Sequence, residues 1–401
     1  MLLLVIIYLA FISLGLPDTV LGSAWPAISH DLNADLELAG IVSLVTSLGT
    51  VISSLCSTRA IGYFGTGKVV AISVLMTAIA LLGFTFAQNV WLLALLAVPL
   101  GFGAGAVDAA LNNFVAINYS AKHMNYLHSF WGVGATLGPL IMAVYLSASS
   151  GWREGYGTIA YIQFALVIVL LAALPLWRKA TTTQRNATEK LPISEQAILS
   201  NRQAIKINGV KLQMVLFCCY SALEAGTGLW AASYLTVEKG IPITDAAFWT
   251  AMYFLGITVG RFLCGLIAER VGGEGLIRIG LVTILIGVIA LLLPTTTLLA
   301  KFGLILIGLG CAPIYPNCIH LTPQRFGRQS SQAIISLSMA SAYIGTLLLP
   351  PLMGPLFTTT SFAVFPLVLL LFSGVMFVFS ERLKYFPEMS AQFTTEEPTN
   401  N

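Results

Sequence analysis

Trp91-Leu-Leu-Ala-Leu-Leu-Ala-Val-Pro-Leu-Gly101-Phe-Gly-Ala-Gly-Ala-Val-Asp108-Ala-Ala-Leu-Asn112-Asn113-Phe-Val115 is an apolar run broken by a single charge. A helix needs about 20 such residues to cross about 30 Å of hydrocarbon. This run is long enough, and Asp108 stands well inside it. A carboxylate at membrane depth costs about 2.5–3.5 kcal/mol on insertion scales and ordinarily faces a cavity or a partner. Asp18 and Glu224 lie in two further apolar runs. Three carboxylates placed in this way imply a chain built around a polar cavity in which protons or cations matter.

Composition gives the class. The 401 residues are 57% hydrophobic and only 9% charged, against about 25% charged in soluble domains. The chain is therefore an integral membrane protein. Membrane-length apolar runs recur near 3–25, 36–58, 69–88, 91–118, 126–148, 158–177, 212–236, 246–267, 276–294, 298–320, 330–354 and 360–380. The expected fold class is all-α, with twelve transmembrane helices. The first run lacks a basic leader and a small-residue cleavage site, so it reads as a span and not as a signal peptide.

Basic residues set the expected orientation. With a cytoplasmic N-terminus, Arg59, Lys68, Lys122, those between Arg178 and Lys211, Arg270, Arg278, Arg325, Arg328, Arg382 and Lys384 all fall inside. The outer loops keep Arg153, Lys239 and Lys301, and Arg261 lies within a span. This positive-inside bias predicts both termini in the cytoplasm and a location in the plasma (cell inner) membrane.

Residues 178–211 form the one long polar stretch between runs and read as a cytoplasmic linker. The expected organisation is an N-terminal six-helix bundle over 1–177, that linker, a C-terminal bundle over 212–381 and a short cytoplasmic tail over 382–401. A shift of 207 residues pairs Gly49 with Gly256, Gly65 with Gly272, Gly101 with Gly308, Gly103 with Gly310 and Gly138 with Gly345. Glycine frequency alone gives roughly two such pairs, and all twelve apolar runs keep register under the same shift. Parallel six-span repeats place a solute site near the midplane between the halves.

Gly265-Leu-Ile-Ala268-Glu269-Arg270-Val-Gly272 resembles the loop motif of the major facilitator superfamily, after the second span of a half. Arg59-Ala-Ile-Gly62-Tyr-Phe-Gly65, its counterpart, lacks the acid and the following arginine. The resemblance implies a gating or structural role for Glu269 and Arg270. Within the superfamily, Asp108-Ala-Ala-Leu-Asn112-Asn113-Phe114-Val115 is similar to the fourth helix of fucose permease-like sugar–proton symporters. Asn125-Tyr-Leu-His128-Ser129-Phe130-Trp131 is similar to their fifth helix, and Tyr220-Ser-Ala-Leu-Glu224 through Trp230 to Tyr234 looks like the seventh. Three departures stand out. The family's first-helix aspartate falls at Gly22, with Asp18 one turn earlier, while its fifth-helix asparagine and glutamine fall at Trp131 and His128. Fucose itself is not carried over.

Read singly, the candidates divide by chemistry. Asp108 and Asn112 are i and i+4 on one helical face. Desolvation disfavours an ionised carboxylate, so an acid there can pass through an occluded state as the neutral form and ionise again inside. Asp18 lies between Pro17 and Thr19 in a run interrupted by Gly15, Gly22 and Pro26, where a broken helix can expose backbone to a cavity. Glu224 falls opposite Pro17 under the repeat shift, so two carboxylates face each other across the axis. Proton coupling is expected from Asp108, assisted by Asp18 or Glu224. Arg261, a cation within a span, needs a carbonyl or carboxylate partner and reads as structural. Solute contacts are expected from Asn112, His128, Trp131, Gln163, Trp230, Tyr234, Tyr253, Tyr315 and Asn317, because a sugar pairs apolar faces with a polar rim.

Other motifs carry nothing. Gly62-Tyr-Phe-Gly-Thr-Gly67-Lys68-Val69 has Val69 where a phosphate loop needs a hydroxyl. Gly101, Gly103 and Gly105 read as helix-packing glycines. The six cysteines lie in apolar runs without metal spacing. No metal, cofactor, enzymatic constellation or nucleic-acid partner is implied. The expectation is a monomeric secondary carrier of a small polar solute, sugar or sugar-like, driven by the proton gradient. Its rival is a proton antiporter exporting drugs or metabolites.

Overall fold

The computed structural model describes residues 2–119, 121–148, 151–177, 201–293 and 297–384. Twelve helices there are long and apolar enough to cross a membrane: Leu2–Asp31, Leu38–Ser57, Thr66–Phe84, Val90–Val115, Tyr126–Ser147, Trp152–Ala172, Val210–Val237, Ile243–Ala268, Arg270–Leu292, Thr297–Phe326, Ala333–Thr359 and Phe362–Leu383. They are called spans 1 to 12. Alternating crossings define a near face, where Leu2 lies, and a far face. Of the expected linker, residues 178–200 lie outside the described part; beyond them come a short helix, Asn201–Ala204, and then span 7. The tail beyond Lys384 also lies outside.

Two spans are interrupted. Span 1 consists of helices Leu2–Asp18 and Val20–Asp31, parted at Thr19, whose hydroxyl donates to the Ala135 carbonyl at 2.8 Å. Pro17 has no amide hydrogen for the ladder, so the break sits where the sequence weakens the helix. Span 10 parts into Thr297–Cys311 and Ile314–Phe326, next to Pro313. Asn317 caps this break from below, donating to the Pro313 carbonyl at 2.7 Å.

The repeat is visible atom by atom. A methyl added to Gly49 would meet Val98, Gly101 and Phe102, and one on Gly256 would meet Ile305, Gly308 and Leu309, each exactly 207 residues on. Gly101 rests on the Thr46 carbonyl and Gly308 on that of Tyr253; Gly103 packs on Ser73 and Thr77, and Gly310 on Gly280 and Ile284. The turns after spans 2 and 8 also match, with Gly65 at φ 77° and Gly272 at φ 73°. Only glycine adopts that backbone without strain. The chain is thus two pseudo-symmetric six-helix bundles.

Spans 5 and 11 pack on the leading helices, with Gly138 on the Leu16 carbonyl and Gly345 on that of Cys218. Gly22 and Gly228 touch where spans 1 and 7 cross. Asp18 and Glu224 each stand four residues before the touching glycine of their own helix, one turn from that crossing.

The halves meet firmly at the far face. Gly22 lies on Gly228, Gly40 on Pro351, and Gly354 beside Glu37, and Thr358 donates to Glu37 at 2.6 Å. Spans 5 and 8 form a further seam, with Gly132 against Thr258. Accessible polar side chains lie on the other side of the cavity. Asp18 and His128 are exposed, and Asp108 and Asn112 are half-buried.

Candidate functional site

A cavity of about 350 Å³ lies between the halves. Its N-terminal side includes Asp18 and Thr19 of span 1, Ser43, Thr46, Ser47 and Thr50 of span 2, Trp131 of span 5 and Tyr156 of span 6. Its C-terminal side includes Ser221, Glu224 and Gly228 of span 7, Phe254 of span 8, and Tyr343 and Thr346 of span 11. Drug-sized sites begin at about 300 Å³, so the cavity suits a small solute.

Four side chains connect its two walls. Trp131 donates its indole N–H to Asp18 at 3.0 Å. The Arg261 guanidinium lies over the Trp131 ring, 5.5 Å from its centroid, and donates to the His128 carbonyl at 3.4 Å. Its other arm stands 3.6 Å from Glu224. Arg261 belongs to the second half, and His128 and Trp131 to the first, so one cation links both carboxylates across the seam. Arg261, expected to need a carbonyl or a carboxylate, stands against one of each.

Asp108 lies beside this cavity, not among its lining residues. Asn112 donates to its carboxylate at 2.8 Å, the contact that i, i+4 spacing allows. Asp108 is close enough to interact electrostatically with Asp18, and with Tyr315 and Tyr343 of the other half.

Most expected solute contacts go elsewhere. Gln163 is buried, accepting from the Ser13 hydroxyl at 2.5 Å and donating to the Ser13 carbonyl at 2.6 Å, so both ends of its amide hold spans 1 and 6 together. Trp230 is fully buried, donates to the Pro350 carbonyl at 2.8 Å and packs edge-on against Phe357. Six residues turn a helix by roughly 240°, so Trp230 faces away from Glu224. Tyr234 donates to the Leu291 carbonyl at 2.8 Å. Tyr253 donates to the Glu224 carbonyl at 3.0 Å and supports the site from behind. Tyr315 packs with Phe217 and Tyr220, Asn317 serves its own helix break, and His128 meets the edge of Phe11. Of the proposed contacts, only Trp131 lines the cavity.

The hydroxyls of span 2 were not anticipated. Ser43, Thr46, Ser47 and Thr50 recur at i, i+3, i+4 and i+7, a spacing that marks one helical face. On the near face, the side chain of Glu269 lies outside the described part, and Arg270 is exposed. Ion pairs there join Arg325 to Glu274, at 2.8 and 3.0 Å, and Arg278 to Glu381, at 2.5 and 2.9 Å. Among the described residues no cluster of His, Cys, Asp or Glu could hold a metal ion.

A family model for the Major Facilitator Superfamily matches residues 7–300 and 214–397. The glucose/mannose transporter GlcP of Bacillus subtilis is 22% identical over 359 residues, covering 86% of each chain. The cis,cis-muconate transport protein of Acinetobacter baylyi is 22% identical, covering 66% of this chain and 65% of its own. The multidrug resistance protein MdtG of Salmonella arizonae is 28% identical over 38% of this chain and 39% of its own. Among solved structures, a mutant of the nucleoside transporter NupG superposes with a TM-score of 0.72 at 14% identity, covering 95% of this chain and 98% of that one.

Proposed function

The chain belongs to the major facilitator superfamily, and from that premise we propose that it carries a sugar or sugar-like solute together with protons, by alternating access. The observation that supports this most is the pair of carboxylates, Asp18 and Glu224, one from the leading helix of each half, at a cavity between two half-repeats. Seams at the far face close that cavity while Asp18 stays accessible, so the structure corresponds to the inward-facing state when the near face is cytoplasmic. The positive-inside bias supports that orientation, in the plasma (cell inner) membrane. The working unit in this reading is the monomer, and the proton gradient is the driving force in place of any cofactor.

The three acids have different partners, and this divides their roles. Glu224 faces Arg261, so a proton arriving there competes with an ion pair. Asp18 and Asp108 have neutral partners, Trp131 and Asn112. Two nearby anions repel, and a proton on either removes that repulsion. Asp108 is the proposed proton carrier and Asp18 its relay to the solute. Aromatic surface at Phe254 and Tyr343 of one half, facing Trp131 and the hydroxyls of span 2 in the other, gives a pyranose both kinds of wall, and kinship with a glucose/mannose transporter agrees.

The second reading is export of drugs or metabolites in exchange for protons. A cavity bearing two carboxylates also accommodates organic cations, and MdtG is among the relatives. Substrate-induced proton movement in proteoliposomes separates the two, using sugars, polyols, amino acids and cationic drugs with Asp108→Asn alongside. Symport predicts solute-driven proton uptake in the wild type and counterflow alone in the variant. Coupling that survives in Asp108→Asn removes Asp108 as the carrier, and efflux that collapses with the gradient establishes the exporter.

A further inference from the structure

Asp108 stands beside the solute cavity and not on its lining, so solute occupancy has to reach it through a neighbour. Asn112 donates to one of its carboxylate oxygens at 2.8 Å, and the other takes no hydrogen bond among the described residues. Among those residues, the ionisable groups that feel its charge are Asp18 from span 1, Tyr315 from span 10 and Tyr343 from span 11. Spans 2, 3 and 5, which pack on span 4, direct no described ionisable group at it. Tyr315 packs with Phe217 and Tyr220 and does not line the cavity. Tyr343 does line it, is 39% exposed, and its hydroxyl makes no hydrogen bond among the described residues.

Helix register explains the closeness of Tyr343 to Asp108. Gly105 packs on the Thr50 carbonyl and Gly40 on Pro351, which sets the relative depths of spans 4, 2 and 11. On that scale Asp108 lies about five residues, or about 7.5 Å of helix rise, nearer the near face than Tyr343. Side chains lean toward the N-terminus of their own helix. Span 11 starts at the near face and span 4 at the far face, so Tyr343 and Asp108 lean toward each other.

We propose that Tyr343 is the positioning residue that couples solute to proton: its hydroxyl donates to the solute in the loaded carrier and to the Asp108 carboxylate in the empty one. A hydroxyl has a single proton to donate, so it cannot serve both. Closure of the near face brings span 11 against Asp108 and removes water. The empty carrier closes with Asp108 ionised, because Tyr343 pairs with the charge. In the loaded carrier that proton is engaged by solute, and an ionised Asp108 would be buried with one oxygen lacking a donor, which is costly. The loaded carrier therefore closes only after Asp108 is protonated. Solute binding and protonation assist one another, reciprocally, and solute does not cross alone. Ser43, Ser47, Ser221 and Thr346 also line the cavity with free hydroxyls, so solute binding does not depend on Tyr343 alone. The proposal rests on the symport reading and names the residue that enforces it.

The experiment needs no solute. Tyr63, after span 2, and Gln324, at the end of span 10, are exposed at the near face on opposite halves. Spin labels on cysteines at these two positions, with the exposed Cys56 changed to serine, read the near-face distance in the full-length protein in lipid nanodiscs. The titration runs from about pH 5.5 to about pH 8.5, wide enough to cover a carboxylate perturbed by burial. The wild type populates the short, closed distance at both ends of that range. Tyr343→Phe lowers the closed population at the alkaline end by roughly tenfold or more, the weight of a hydrogen bond to a charged group, and recovers it at the acid end. Adding Asp108→Asn restores closure at the alkaline end, which a merely structural tyrosine would not allow. Tyr315→Phe keeps the wild-type profile. A Tyr343→Phe profile equal to that of the wild type overturns the proposal. So does a loss that Asp108→Asn leaves in place, or a wild type that never closes. Proton-driven efflux from vesicles with this pattern intact sinks only the symport reading. Solute-driven proton uptake that survives in Tyr343→Phe sinks only the role of Tyr343.

Discussion

Gly22 rests directly on the carbonyl of Gly228 in the other half, where spans 1 and 7 cross. A methyl at Gly22 would overlap that oxygen and lie 2.8 Å from the Leu229 Cα. Both obstacles are backbone, so neither yields cheaply. The crossing joins the two halves and not two helices within one half. Gly22→Ala is therefore expected to hold the far face open while leaving each bundle folded. Spin labels on cysteines at Leu36 and Thr359 read the opening: the distance between them should lengthen in Gly22→Ala and transport should fall by at least tenfold. Unchanged distances would show that the crossing is not a gate.

Arg261 and Glu224 form a pair that is mostly shielded, with side chains 18% and 21% exposed. Breaking a buried ion pair leaves one charge uncompensated, whereas removing both partners is often close to neutral. Arg261→Met should lower stability by about 2–3 kcal/mol, tempered by the partial exposure and the 3.6 Å spacing. Glu224→Gln together with Arg261→Met should recover most of that loss. Thermal unfolding in detergent completes the cycle. Additive losses would mean that Arg261 is held by His128 and Trp131 rather than by Glu224.

Trp131 couples to Asp18 through one hydrogen atom and to Arg261 through its ring face. Trp131→Phe removes the first link and keeps an aromatic ring for the second. A hydrogen bond to a charged group is worth about 1.5–3 kcal/mol, so solute half-saturation in counterflow should weaken by roughly tenfold or more. The variant should keep its fold, because its ring still fills the seam. An affinity equal to that of the wild type would show that Asp18 holds its place without the indole.

The twelve spans were legible because hydrocarbon thickness imposes a length and a composition on each. The repeat was legible because close helix crossings need glycine at corresponding places, as at Gly49 and Gly256. What remained hidden depended on helical phase. Trp131 and Trp230 look alike as aromatic residues beside a carboxylate, but only Trp131 turns toward the cavity. Gln163 is a polar residue at the right depth, yet Ser13 occupies both ends of its amide. The stripe from Ser43 to Thr50 was visible as a period, but hydroxyls in apolar helices commonly bond their own backbone. Thr46 and Thr50 do so while lining the cavity.

One ion pair on the near side of the second half lies outside the loop motif. Arg325 is 2% exposed and Glu274 is 35% exposed, and the first half has Gly67 and Asn118 at the corresponding places. Gly67 packs against Trp177 instead. The unequal burial predicts unequal consequences. Glu274→Gln strands a guanidinium away from water, which costs about 3 kcal/mol or more. Arg325→Met leaves a carboxylate on a side chain that is one-third exposed, though its Oε2 is shut from solvent, so the loss should be smaller than in Glu274→Gln. Raising salt should change the larger loss little, because screening acts poorly on buried charge. Thermal unfolding of the two variants at low and high salt checks the order. Equal losses, or a larger one in Arg325→Met, would mean that the arginine acts through packing and not through its charge.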